Sequence, residues 1–370
     1  MLPLLFKAII NGDSSYHRLF GTNKERGSIM SNNMYFIGLD IACNDFAASI
    51  YQSPEKPIIT KEAILNNPDG FNMLISWLKS NNINNTNSII CMEATGVYSK
   101  AITNYLTADG FNVCVEAPLK VKRAFDPVGH KTDAVDSKQI AEYAYRYRDE
   151  LRLWKPKDEI LEKVRQLLAA RERFTKQSTA IQNASKAYEK EPIKVALIIK
   201  SHKQALKQLK KHIADIDKEL DKHIHQNPAI FQNTNTLKGI PGYGMLLSAN
   251  LMVITDNFEN IKDHKRLSAF IGIVPYQHQS GTSINKKARI RHFGPQTTRK
   301  LLRLAAQSVA THNKGFRQYY LRKQAEGKAK TLVLNNIANK LIKIACAMMR
   351  ENKSYIKEHR SIHPMCLKTA

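Results

Sequence analysis

YFIGLDIACNDFAASIY, residues 35–51, is the stretch on which the fold turns. YFIGLD (35–40) is a short apolar run closing on an acid, and FAASIY (46–51) follows a turn as the second arm of a hairpin does. PIITKEAI (57–64) reads as a third strand. Beyond it the pattern alternates. Pro68 opens a helix, PDGFNMLISWLKS, with Phe71, Leu74, Ile75 and Leu78 at three-to-four spacing. An Asn-rich loop (81–87) leads to SIICME (88–93), a strand again ending on an acid. YSKAITNYLTADG (98–110) reads as a helix closed by Gly110, and NVCVEA (112–117) as a strand. A Lys-rich helix follows from Pro118, and DAVDSKQIAEYAYRYR (133–148) is a further helix.

Three strands followed by alternating helices and strands predict a mixed sheet flanked by helices, the order of an RNase H-like α/β domain. Within it four acids hold special places. Asp40 and Glu93 end strands, and Asp133 and Asp136 share a helix face at i, i+3. Strand ends and a flanking helix can converge, and four gathered carboxylates would repel one another unless metal neutralised them. Hard oxygen ligands suit Mg2+ or Mn2+, and a pair of such ions can clamp both oxygens of a phosphodiester displacement. Taken singly, each acid also fits a turn, and the DxxD pair also fits helix capping. A sugar-kinase or actin-like ATPase fold likewise opens with an apolar strand, Gly and Asp.

Residues 155–225 carry no strand signal. Ile199, His202, Leu206, Leu209, Ile213, Ile216 and Leu220 step by three and four, and Leu161, Val164 and Leu168 begin a similar stripe. This heptad spacing predicts two long helices folded back as an antiparallel coiled coil, broken near Glu191-Pro192, with His202 in the seam as a register-setting or solvent-edged residue rather than a metal ligand. From 237 the chain reads as a mostly helical domain. LKGIPGYG (237–244) resembles a helix-hairpin-helix turn, in which Gly239, Gly242 and Gly244 let backbone N–H groups approach a phosphate. KRLSAFIGIVP (265–275) precedes a basic polar loop and three helices, the last with Leu334, Ile337, Leu341, Ile344 and Met348 on one stripe.

The chain carries 57 Lys+Arg against 32 Asp+Glu, a formal net charge of +25. The excess is confined: residues 1–150 hold 15 basic and 16 acidic side chains, residues 151–370 hold 42 and 16. So cationic a second part points to a polyanion, because Lys and Arg on phosphates release counterions. Lys286, Lys287, Arg289, Arg291 and His292, then Arg299, Lys300 and Arg303, read as phosphate contacts, the alternative being a solvated face. Five scattered cysteines (Cys43, Cys91, Cys114, Cys346, Cys366) form no C-x-x-C pair, which argues for a reducing compartment and against structural zinc. No apolar run nears the length of a membrane span. MLPLLFKAII lacks the basic flank and cleavage site of a signal peptide. With Met30 and Met34 just ahead of the first strand, residues 1–33 are expected to be disordered or a mis-called extension.

YFIGLD, CMEATGVYS (91–99) and HKTDAVDSKQIAEYA (130–144), taken in order, resemble the DEDD-type, Piv-like transposases and recombinases of bacterial insertion sequences, the IS110/IS1111 family. The resemblance runs from about residue 34 to 350. It implies a RuvC-like catalytic domain over 34–150 with Asp40, Glu93, Asp133 and Asp136 as the metal-binding catalytic tetrad. A coiled-coil spacer over 151–230, a C-terminal transposase domain over 231–352 and a basic tail over 353–370 follow. The segment 272–306 matches the part of the family that carries a nucleophilic serine before Gly; Ser280 is that position, Ser283 its nearby competitor. The implied activity is cutting and rejoining of DNA in the bacterial cytoplasm, on the nucleoid, by a homo-oligomer. The resemblance also implies a structured noncoding guide RNA, for which Lys120, Lys122, Arg123 and the basic spacer are the candidate contacts. A metal-dependent RuvC-like nuclease with Ser280 a bystander, and a non-catalytic nucleic-acid-binding protein, are the competing readings.

Overall fold

The structure, a computed structural model, describes residues 34–125, 132–280, 284–290 and 294–356, without side chains for 277–280 and 284–288. The expected N-terminal extension, Ser283, Arg291, His292 and most of the basic tail lie outside the described residues, as do the side chains of Ser280, Lys286 and Lys287. The chain divides into two compact units, meeting between Pro156 and Lys157.

The first unit is a five-stranded mixed sheet. β1 (Tyr35–Ile41) and β2 (Asp45–Tyr51) form the expected hairpin, with β3 (Ile59–Leu65) antiparallel at the edge. β4 (Ser88–Glu93) runs parallel to β1, and β5 (Asn112–Glu116) parallel to β4, giving the order β3-β2-β1-β4-β5. Each strand alternates its side chains between faces, so one face collects Ile37, Leu39, Ile90 and Met92. Helices α1 (Pro68–Ser80) and α2 (Tyr98–Ala108) cover that face with Phe71, Leu74, Leu78, Ile102 and Leu106. Asn67 caps α1 by accepting from Gly70 N, and Pro68 fits the first turn, where no N–H is needed. The opposite face, with Phe36, Cys91 and Cys114, is covered by α4 (Asp133–Arg146) through Ile140, Ala141, Tyr143 and Ala144. A short α3 (Pro118–Lys122) adds Val121 to this layer.

The second unit begins with two long helices, α5 (Glu159–Tyr188) and α6 (Ala196–Gln226). Contacts pair early residues of one with late residues of the other: Arg171 with Asp217, Phe174 with His212, Ser185 with His202. The pair is therefore antiparallel, and His202 sits in its seam bonded to Ser185 Oγ at 3.1 Å. Their shared root, Leu161, Val164, Leu220 and Ile224, packs into one core with the helices that follow. These are α7 (Pro228–Lys238), α8 (Met245–Thr255), α9 (His264–Ile271), α10 (Gln296–His312), α11 (Lys314–Ala325) and α12 (Lys330–Glu351).

Two expectations are corrected here. The segment expected as a basic polar loop is a two-stranded hairpin, β6 (Pro275–Ser280) and β7 (Ile284–Ile290). The expectation that no segment is long and apolar enough to span a membrane also fails, because α12 is, by length and composition. Its apolar stripe, Val333, Ile337, Leu341, Ile342 and Ala345, is buried as the core of the helical unit.

Candidate active site at the end of the parallel strands

The site is built by strand register. Leu39 pairs with Met92, so the next residues, Asp40 and Glu93, neighbour each other on adjacent parallel strands. Both point to the face opposite Leu39 and Met92, which is the α4 face. Asp40 is held within β1 opposite Ala47 and is not a turn residue.

Helix α4 lies on this face at unusually short range, because β1 carries Gly38 beneath it. A Cβ at Gly38 would collide with Ser137 O and Ala141 N and stand 2.9 Å from Ala141 Cα. Ser137 also bonds Ser49, the partner of Gly38 on β2, through a buried hydroxyl pair at 2.8 Å. Later α4 residues lie back along β1, with Tyr145 against Phe36. The helix thus runs counter to β1, and its first turn, with Asp133 and Asp136, comes over the end where Asp40 stands. Thr132 is the N-cap, accepting from Val135 N at 3.3 Å, and Asp133 and Asp136 follow it in the first turn. Both lie where the helix dipole favours negative charge.

A further acid belongs to this row. Glu116 ends β5 and pairs directly with Glu93. The sequence reading passed over it, although NVCVEA shows the same acid-after-strand signal that marked Asp40 and Glu93. Lys120, an expected RNA contact, binds Glu116 at 3.2 Å and lies 5.7 Å from the Tyr143 ring centroid, and its side chain is 43% exposed. Lys122 and Arg123 are exposed.

The donor chemistry fits a hard divalent cation: every candidate is a carboxylate, Asp40, Glu93 and Asp136 are partly exposed, and Asp133 is exposed. Among the described residues, however, no three acids, histidines or cysteines are drawn together as a ready metal site. Strand register sets Asp40 beside Glu93, and the direction of α4 brings its first turn toward the same end of the face.

In the second unit, Ser280 is the last residue of β6 and pairs with Ile284 at the tip of the hairpin. Gly239 ends α7 and Gly244 precedes α8. Between them Gly242, at φ +81°, abuts Ala305 O and Val309 Cγ1, both 2.9 Å from where a Cβ would be. Its missing side chain thus makes room for α10, while Gly244 faces open space. Arg299 donates from Nε to Ile271 O at 3.0 Å and so braces the end of α9. Arg289, Lys300 and Arg303 are exposed.

A family model for DEDD-type IS110 elements, described as transposase, matches residues 37–188. A second, described as transposase of the IS116/IS110/IS902 family, matches residues 234–321. The chain is 26% identical over 326 residues to a pilin gene-inverting protein of Moraxella lacunata, covering 87% of this chain and 98% of that one. It is 25% identical over 254 residues to the transposase of insertion sequence element IS1111A of Coxiella burnetii, covering 61% of this chain and 68% of that one. Two successive family models along one chain, each belonging to the same group of elements, make it a member of the IS110 family of insertion-sequence transposases, enzymes that act on DNA.

Proposed function

We propose that this transposase cuts and rejoins DNA with two chemical parts: the carboxylates Asp40, Glu93, Asp133 and Asp136, which hold a divalent cation such as Mg2+ or Mn2+, and Ser280 as nucleophile. The observation that carries the reading is the placement of Asp40 beside Glu93 on adjacent parallel strands, beneath a helix that carries Asp133 and Asp136 in its first turn. The strand order β3-β2-β1-β4-β5 supports an RNase H-like fold for this part. The match to nearly the full length of a protein named for gene inversion supports rejoining as well as cutting.

The bound cation supplies Lewis-acid polarisation of a phosphodiester. The acids hold it at the strand ends. Ser280 Oγ attacks phosphorus, an Oγ–P bond forms as a P–O bond of the strand breaks, and one DNA end stays linked to the protein. Attack of a strand hydroxyl on that linkage reverses the exchange and frees the serine, so no ATP is consumed. The acids and Ser280 belong to different units, and a homo-oligomer assembled on DNA unites them. A structured guide RNA selects the sites, its backbone held by the cationic second part, with the helix-hairpin-helix-like turn 239–244 and Arg289, Lys300 and Arg303 on phosphates. The working location is the nucleoid in the cytoplasm.

The test is a trapping assay with labelled DNA, the element's RNA and Mg2+. A denaturant-resistant protein–DNA adduct is expected, lost in Ser280→Ala and in Asp40→Asn but kept in Ser283→Ala. Cut ends without any adduct would replace the serine mechanism by metal-assisted hydrolysis. Unchanged cutting in Asp40→Asn would remove the acids from the chemistry.

A further inference from the structure

At the root of the β6–β7 hairpin an open cleft of about 460 Å3 lies between α9, α12 and the first residues of β6. Ser268, Ala269, Val274, Tyr276 and Asn339 are among the residues that line it. Lys265, Lys340 and Lys343 rim it, each exposed, and among the described residues none of the three has a carboxylate partner. Lys340 and Lys343 are one turn apart on α12 and so reach to the same side. Lys340 Nζ also lies 4.8 Å from the ring centroid of Tyr319 on α11. Nearby His264, Lys265 and Arg266 follow Asp263, which caps α9 by accepting from Arg266 N at 2.8 Å.

We propose that this cleft is a nucleotide-binding subsite for the DNA strand to be cut: the three lysines hold one or two phosphates, and Tyr276 stacks on the adjoining base. Three clustered ammonium groups beside an aromatic ring form the combination that holds a single-stranded backbone and an unstacked base together. Tyr276 lies four residues before Ser280 on the same strand. That is about 13 Å of extended chain, or about four base steps of a stacked strand. A strand anchored in the cleft and running along β6 therefore presents a phosphodiester near the hairpin tip. The assignment of DNA as the occupant rests on the reading of Ser280 as nucleophile; the cleft itself does not.

The test is equilibrium binding of a fluorescent single-stranded DNA oligonucleotide to the full chain, without divalent metal so that nothing is cut. A failed Ser280→Ala adduct assay therefore leaves its outcome independent. In Lys340→Gln/Lys343→Gln, the slope of log affinity against log salt should fall by about 0.7–1.4, since one or two phosphate contacts are lost and each on a single strand contributes about 0.7. Tyr276→Ala should weaken binding roughly tenfold with the slope unchanged, and Tyr276→Phe should restore it, because stacking needs the ring and not the hydroxyl. An iododeoxyuridine oligonucleotide should crosslink to Tyr276 in the unsubstituted chain, which keeps the test open if a variant fails to fold. An unchanged slope together with no crosslink in the segment 265–276 overturns the subsite. Preferential binding and crosslinking of an RNA of the same sequence overturns its assignment to DNA.

Discussion

Replacing Gly38 by alanine should separate the catalytic geometry of this protein from its fold. The new Cβ would meet backbone atoms of Ser137 and Ala141, and trimming Ala141 to glycine gives no relief, because the collision is with the main chain. Helix α4 must retreat by about 1 Å to regain ordinary carbon–carbon spacing. Overpacking of this kind costs about 1–3 kcal/mol. Loss of the Ser49–Ser137 hydroxyl bond adds about 1 kcal/mol, a modest figure because both hydroxyls keep other partners, Thr60 and Ala134 O. The assay is urea unfolding followed by tryptophan fluorescence. The chain's two tryptophans, Trp77 and Trp154, both lie in the sheet-containing unit, so the signal reports that unit alone. We expect a destabilisation of about 2–4 kcal/mol and, because Asp133 and Asp136 ride on the displaced helix, a loss of DNA cutting of about 100-fold. Gly244→Ala, where a Cβ meets nothing within 4 Å, is the control and should change stability by less than about 0.5 kcal/mol. A Gly38→Ala protein that keeps full cutting and loses less than about 1 kcal/mol would refute the close seat of α4 on β1.

Two further outcomes follow from packing. Burial pushes the thiols of Cys114 and Cys346 up to about 12 and raises that of Cys91 as well. At pH 8, peptide-mapped alkylation should therefore mark exposed Cys43 quickly and these three only after unfolding. The unfolded chain loses these protons before the folded one does, so their stabilising contribution is complete below about pH 9 and fades as pH climbs toward 12. Across the long helix pair, Arg171 bonds Asp217 through two nitrogens at 2.6 and 3.1 Å, with the aspartate 43% exposed. A double-mutant cycle on Arg171→Ala and Asp217→Ala should give a coupling of about 0.5–1 kcal/mol that shrinks in 1 M salt; zero coupling at low salt would mean that the pair is decorative.

The strands were legible because they are buried. YFIGLD and SIICME are continuous apolar runs, and a run that ends on an acid marks both a boundary and a candidate ligand. The heptad stripe of α6 was legible for the same reason, since burial imposes a period. The β6–β7 hairpin was not. INKKARI offers only Ile284, Ala288 and Ile290 as apolar residues among Lys286, Lys287 and Arg289, too few for a strand to be read from hydrophobic alternation. Two local patterns were ambiguous. DxxD at a helix start fits capping as well as ligation, and the residue that caps α4 is Thr132, one position earlier, which accepts from Val135 N. The glycines of GIPGYG marked a turn, and at Gly242 the missing side chain also makes room for α10, a long-range contact that no local pattern encodes. Glu116 stood in plain view and required only that the strand-end rule be applied to every strand.

The two long helices of the second unit leave and return to nearly the same point. Asp158, which caps the start of α5, accepts a bond from Asn227, which follows the end of α6. The excursion is therefore a loop in the connectivity of the unit, not a link in its middle. Matched heptads can be removed from both helices, or added to both, without shifting the anchor points, and each such step changes the reach by about 10 Å. Reach becomes a quantity that evolution can tune like the length of a ruler, while the chemistry at either end of the chain stays as it is.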